Sequence, residues 1–185
     1  MLRFQAIQAI MDQVVDELVV SNIGDPSKEL FHIRDRPKNF YMLGSMGLAS
    51  SISLGLALSQ EEKVVCLDGD GSILMNLGSL VTIASNKPGN LILVALDNGV
   101  YGSTGNQDSF TSGETDLEEI AKACGFEATF KAETIEKLSS VVKECLNTES
   151  PSFIHVLIEV DDTKFEPVPM DPIAIKSRFM MEIKG

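Results

Sequence analysis

Two short apolar runs, Val64 to Leu67 and Leu91 to Leu96, each end in a polar, glycine-bearing string. The first runs into Asp68-Gly69-Asp70-Gly71 and the second into Asp97-Asn98-Gly99. A continuous apolar run of this length suits a strand buried on both faces, and such strands belong to parallel sheets covered by helices. Phe153 to Val160 repeats the pattern, and Leu18 to Ser21 can begin another strand. Helical segments lie between them. Asp116 to Cys124 opens on an acidic cap with Glu118 and Glu119 in its first turn and stops at Gly125. Thr134 to Leu146 is a second helix, and a third, from about Leu77 to Ser85, precedes the break at Pro88-Gly89. Strands alternating with helices predict an α/β fold: one doubly wound, mostly parallel sheet with helices on both faces, formed by residues 1–185 as a single domain.

The remaining segments are read more coarsely. Arg3 to Val19 places Ile7, Ile10, Met11, Val14, Val15 and Leu18 at helical spacing, so it reads as an amphipathic helix. Asn22 to Pro26 is a loop by composition, and the polar stretch to Lys38 has no clear period. Asn39 to Gln60 carries no charge and is about as long as a membrane span. Its serines (Ser45, Ser50, Ser51, Ser53, Ser59) and glycines (Gly44, Gly47, Gly55) argue for a buried helix from Gly44 to about Leu58 instead. The tail after Asp161 is punctuated by prolines and reads as a segment that wraps onto a neighbour. A formal net charge of -12 leaves no basic footprint, so neither nucleic acid nor a membrane is an expected partner. Cys66, Cys124 and Cys145 are scattered and odd in number, unlike a disulfide framework or a metal cluster. The N-terminus shows no apolar leader, and a reducing, cytoplasmic location is expected.

In open α/β sheets ligands bind beyond the carboxyl ends of strands, where the loops Asp68 to Ser72 and Asp97 to Gly105 both fall. A carboxylate at Asp70 and an amide oxygen at Asn98 suit a hard cation, and flanking glycines let backbone approach a phosphate. Neither loop holds Lys or Arg, whereas a Walker-type site places a lysine on its phosphates, so a divalent metal must supply the positive charge. Magnesium, with few protein ligands and the rest from phosphate and water, fits that donor set. The Ser72 hydroxyl and the amides that open the next helix can take further phosphate oxygens. An EF-hand fails on count, because its first and twelfth positions would fall on Cys66 and Leu77.

Gly69-Asp70-Gly71-Ser72, followed by Asn98 at the end of the next apolar run, resembles the cofactor motif of the thiamine-diphosphate-dependent enzymes. The resemblance implies Asp70, Asn98 and the Val100 carbonyl as ligands of magnesium, which anchors thiamine diphosphate. Gly44-Ser45-Met46-Gly47 is similar to the family segment whose large apolar residue bends the cofactor, a role implied for Met46. Asn22-Ile23-Gly24 is similar to the first cofactor-facing turn, while Gly102, Ser103 and Thr104 match positions that face cofactor or substrate. Longer strings, including Arg34-Asp35-Arg36-Pro37 and Asp97 through Gln107, are most similar to the family's decarboxylases of sulfonated and phosphonated 2-oxoacids.

The resemblance then implies a split decarboxylase, with sulfopyruvate converted to sulfoacetaldehyde and carbon dioxide for coenzyme M biosynthesis. A phosphonopyruvate- or acetolactate-type subunit and a non-catalytic cofactor-binding module are the alternatives. A 2-oxoacid:ferredoxin oxidoreductase subunit shares the motif, but cluster-type cysteine spacing is absent. In the family the activating glutamate sits on a pyrimidine-binding domain, for which this chain has no second α/β unit. An α subunit is therefore the implied partner in a hetero-oligomer with several copies of each, and no acid or base is assigned here. The uncharged Gly44 face is the expected contact. Lys28, Arg34 and Arg36 are cations near the first loop that could meet a small anionic 2-oxoacid; solvated surface charge is the competing reading. His155, inside an apolar run, reads as structural.

Overall fold

A computed structural model describes residues 1–183. In chain order the elements are α1 (Arg3–Met11), β1 (Leu18–Ser21), α2 (Asp25–Arg34), β2 (Asn39–Tyr41), α3 (Ala49–Ser59), β3 (Val64–Gly69), α4 (Asp70–Met75), α5 (Gly78–Asn86) and β4 (Leu91–Asp97). There follow β5 (Val100–Tyr101), β6 (Gln107–Asp108), α6 (Leu117–Cys124), β7 (Ala128–Ala132), α7 (Ile135–Leu146), β8 (Ser152–Leu157) and α8 (Pro172–Glu182). Six strands form one parallel sheet in the order β2-β1-β3-β4-β8-β7, and β5 and β6 make a separate antiparallel hairpin.

Alternation along the buried strands divides the core between two faces, as a parallel sheet covered on both sides requires. Val65, Leu67, Ile92, Val94 and Leu96 pack with α1, α2 and α7 on one face. Val64, Cys66, Leu91, Leu93 and Ala95 pack with α3, α5 and α6 on the other. Helix α8 lies along the edge strand β2 and sends Ile175 to the first cluster and Phe179 to the second. An edge that would otherwise expose unpaired backbone is thereby covered.

The doubly wound sheet matches the sequence expectation, but several boundaries move. Helix α1 stops at Met11 instead of running to Val19; Val15 is 76% exposed and Leu18 to Ser21 is strand. The stretch expected to be loop and aperiodic polar chain folds as α2, which opens with Pro26 near its start and buries Leu30 and Glu29. The uncharged run is not one helix from Gly44: it divides into β2, a turn, and α3 beginning at Ala49. Among the described residues no helix is long and apolar enough to cross a membrane. Strand β8 ends at Leu157, short of Val160. The proline-rich tail folds back on its own chain, with Arg178 gripping Asp35 at 2.7 and 2.8 Å. The cap expected at Asp116 is present: Asp116 accepts from the Glu118 and Glu119 amides, and Gly125 closes α6 with φ of 106°.

Candidate functional site

The chain leaves β1 toward β2 on one side and leaves β3 toward β4 on the other, so the strand order reverses between β1 and β3. That reversal opens a crevice at the strands' carboxyl ends. A cleft of about 250 Å³ lies there, lined by Asn22, Met46, Gly69, Asp70, Gly71, Ser72, Asn98, Val100, Gly102, Ser103 and Thr104 among others. The structure thus brings together residues spread over more than eighty positions of sequence. Gly24 stands beside it, where an added Cβ would lie 3.5 Å from Ser103 Oγ. Gly44 and Ser45 are not brought in; they line a separate cavity with Phe40, Ile52, Pro172 and Ile175.

Asp70 sits at the junction of β3 and α4, where Gly69 caps the helix, rather than in an open loop. Its Oδ2 accepts from the Ser109 hydroxyl and lies 3.2 Å from Thr111 Oγ1. Asn98 follows β4 directly, and its Oδ1 accepts from the Val100 amide at 3.2 Å. The Ser109 amide donates to the Gly99 carbonyl at 2.8 Å, so Val100 and Asp108 oppose each other as a pair that exchanges no backbone bond. Amide and carbonyl of Val100 therefore point away from the hairpin, on the Asn98 edge. Ser45 and Gly47 both have positive φ, 63° and 89°, and the turn they make presents Met46 to the cleft. The Gly47 amide donates to Ser72 Oγ at 2.9 Å, which ties that turn to α4. Gly71 makes room for the Tyr101 ring, since a Cβ there would lie 2.3 Å from Tyr101 Cε1.

The electrostatics are those of an acidic cluster. Asp68, Asp70 and Asp97 are all buried. Burial raises Asp68 to about 6, and one of its oxygens has no hydrogen-bond partner. Burial, aided by the charge of Asp97, also raises Asp70. For Asp97 burial acts upward too, but hydrogen bonds from His155, Thr111 and the Gly99 amide outweigh it and lower the carboxyl. Arg3, absent from the sequence reading, reaches the cleft but is held by Glu29 at 2.9 Å and Asp25 at 3.3 Å. Arg34 bonds the Met11 and Val14 carbonyls and Arg36 the Glu17 carbonyl, so both serve the fold; Lys28 alone of that trio borders the adjoining cavity.

Among the described residues no cluster of three His, Cys, Asp or Glu side chains makes a self-sufficient metal site. One carboxylate, one amide oxygen and one carbonyl do form an incomplete hard-donor set, which phosphate oxygens and water would complete around magnesium. The residues present fit a magnesium diphosphate: the buried carboxylate of Asp70, which no cationic side chain among the described residues pairs, faces a cleft where glycine backbone allows close approach. Sequence reasoning missed Ser109 and Thr111 as partners of Asp70, and Thr111 and His155 as partners of Asp97, because no local spacing announces contacts made across the fold.

Residues 22–156 match the family described as thiamine pyrophosphate enzyme, C-terminal TPP binding domain. The chain is 51% identical to sulfopyruvate decarboxylase subunit beta of Methanocaldococcus jannaschii, covering 98% of this chain and 97% of that one. It is 41% identical to phosphonopyruvate decarboxylase of Streptomyces viridochromogenes, over 84% of this chain and 39% of that longer protein. Benzoylformate decarboxylase from Polynucleobacter necessarius shares the fold with a TM-score of 0.72 at 22% identity, over 90% of this chain and 34% of that one. The chain therefore belongs to the thiamine-pyrophosphate enzymes and, within them, to the sulfopyruvate decarboxylase β-subunit family.

Proposed function

We propose that this chain is the cofactor-anchoring β subunit of a thiamine-diphosphate-dependent decarboxylase that converts sulfopyruvate to sulfoacetaldehyde and carbon dioxide. The observation that carries the reading is the convergence of Asp70, Asn98 and Val100 on one cleft at the strand-order reversal, in a chain half identical to a sulfopyruvate decarboxylase β subunit. Asp70, Asn98 and the Val100 carbonyl hold magnesium, and through it the diphosphate. Gly69 and Gly71 let backbone approach the phosphates, and Asn22, Gly24 and Gly102 border them. Met46, presented to the cleft by its turn, would pack against the cofactor's rings when it is bound, and Ser103 and Thr104 line the same cleft. When bound, the cofactor supplies the reactive carbon and the electron sink for decarboxylation.

No acid or base in the cleft is assigned to activation, because Asp70 is occupied as a ligand and its neighbours are engaged with one another. That group comes from an α subunit with a pyrimidine-binding domain, and the assembly is a hetero-oligomer with several copies of each. All 185 residues serve as one cofactor-binding domain. The surface beside the Met46 turn suits the contact, with Leu43, Leu48 and Met75 exposed there. The reaction belongs to coenzyme M biosynthesis, in a cytoplasm whose reducing character suits three free thiols. Phosphonopyruvate is the second candidate substrate, favoured by the identity to a phosphonopyruvate decarboxylase.

Asp70→Ala tests the anchor. In the assembled complex it should lower the magnesium-dependent affinity for thiamine diphosphate by about 100-fold or more by calorimetry, beyond the roughly 10- to 100-fold typical of losing only a partner that orients a ligand. An unchanged affinity would refute the assignment.

A further inference from the structure

We infer that His155 is a positioning residue for the metal site: acting through Asp97 and Thr111, it fixes the hydrogen-bond pattern around Asp70 and keeps one carboxylate oxygen free for the cation. The inference rests on reading Asp70 as a magnesium ligand.

His155 stands on β8 beside Ala95 of β4 and is 3% exposed. Its Nε2 lies 2.7 Å from Asp97 Oδ2. Asp97 Oδ1 already accepts from the Gly99 amide at 2.9 Å and from the Thr111 hydroxyl at 2.7 Å. Asp97 thus behaves as an acceptor at both oxygens, and His155 Nε2 is the donor to Oδ2. On its far side the ring faces the cap of α6, with Nδ1 3.5 Å from Asp116 Oδ1. The imidazole is wedged between the end of one strand and the start of one helix.

Thr111 is the point where this arrangement reaches the metal site. A hydroxyl has one proton. While Thr111 gives it to Asp97, it cannot also give it to Asp70 Oδ2, 3.2 Å away. Ser109, 2.8 Å from Thr111, then supplies the proton that Asp70 Oδ2 accepts. Asp70 is held through Oδ2, and among the described residues no side chain bonds its Oδ1. Without His155, Asp97 Oδ2 loses its donor in a buried position, the carboxylate turns away from Thr111, and the Ser109–Thr111 pair no longer holds Asp70 in the orientation the cation needs. Partners that orient a ligating carboxylate in this way typically change metal affinity by about 10- to 100-fold.

The test titrates magnesium by calorimetry into the chain assembled with its partner subunit, at a fixed excess of thiamine diphosphate. His155→Leu, close in volume, should weaken magnesium binding about tenfold or more. His155→Gln, whose amide nitrogen can replace the Nε2 donor, should recover most of the loss. Turnover at saturating magnesium should stay near the wild-type value for both, which a general packing defect would not allow. Thr111→Val breaks the same relay from the solvent side and should reproduce the weakening even where His155→Leu fails to fold. Wild-type affinity in His155→Leu or Thr111→Val, or equal damage from His155→Gln and His155→Leu, would overturn the inference. Unchanged affinity in Asp70→Ala would instead overturn the reading of Asp70 as a ligand.

Discussion

Gly71 and Asp68 flank Asp70 and are constrained by different physics. The Tyr101 ring lies where a side chain at position 71 would go, so Gly71→Ala must push the ring aside. Overpacking of this kind costs about 1–3 kcal/mol, and the displaced ring would also disturb the hairpin that carries Val100. A double-mutant cycle with Tyr101→Ala checks this: the two changes together should cost less than their sum. Asp68 is fully buried with its carboxyl raised from 3.8 to about 6. Between those values the folded chain holds the proton more tightly than the unfolded one, so stability falls as pH rises through that window. Without metal, the contribution of Asp68 to the unfolding free energy should fall by about 2 kcal/mol from pH 4 to pH 6. Asp68→Asn should flatten that slope in denaturant titrations. At this scale the sequence disclosed Asp70 and Asn98, because each ends an apolar run with a glycine beside it. It could not disclose Ser109, Thr111 or His155, whose contacts to Asp70 and Asp97 close only when β4, β8 and the loop after β6 are in place.

Elements with strong local signals were legible, and those held by tertiary contact were not. Helix α6 carries its own cap and stop, and β3 and β4 are apolar throughout their cores. Helix α1 was read too long because apolar spacing continues through Val14 and Val15, although the chain must turn there to enter β1. Helix α2 lacks a clear apolar period because it buries a carboxylate, Glu29, which burial raises while the Arg3 guanidinium pulls it back. Helix α8 depends on a two-bond grip between Arg178 and Asp35, with the guanidinium 5.8 Å from the Tyr41 ring centroid. Arg178→Ala should loosen α8 without unfolding the sheet. Hydrogen exchange should speed up across Pro172–Glu182 and at β2, while β3 and β4 stay protected. Uniform acceleration would mean that α8 is integral to the global unit.

For the whole molecule, the order of strands decides where chemistry can occur. The crevice between β1 and β3 gathers loops from four separate stretches of chain, and the sequence pointed to that end of the sheet through the polar strings after its apolar runs. The proposed role as half of a site belongs to this scale too, since the cleft residues assigned above would anchor the cofactor and none would activate it. The most direct test is carbon dioxide release from sulfopyruvate by this chain, by the α subunit, and by the two mixed, with thiamine diphosphate and magnesium present. The account predicts release only from the mixture, faster with sulfopyruvate than with phosphonopyruvate or pyruvate, and lost with Asp70→Ala. Turnover by this chain alone, or a mixture inert toward sulfopyruvate, would contradict it.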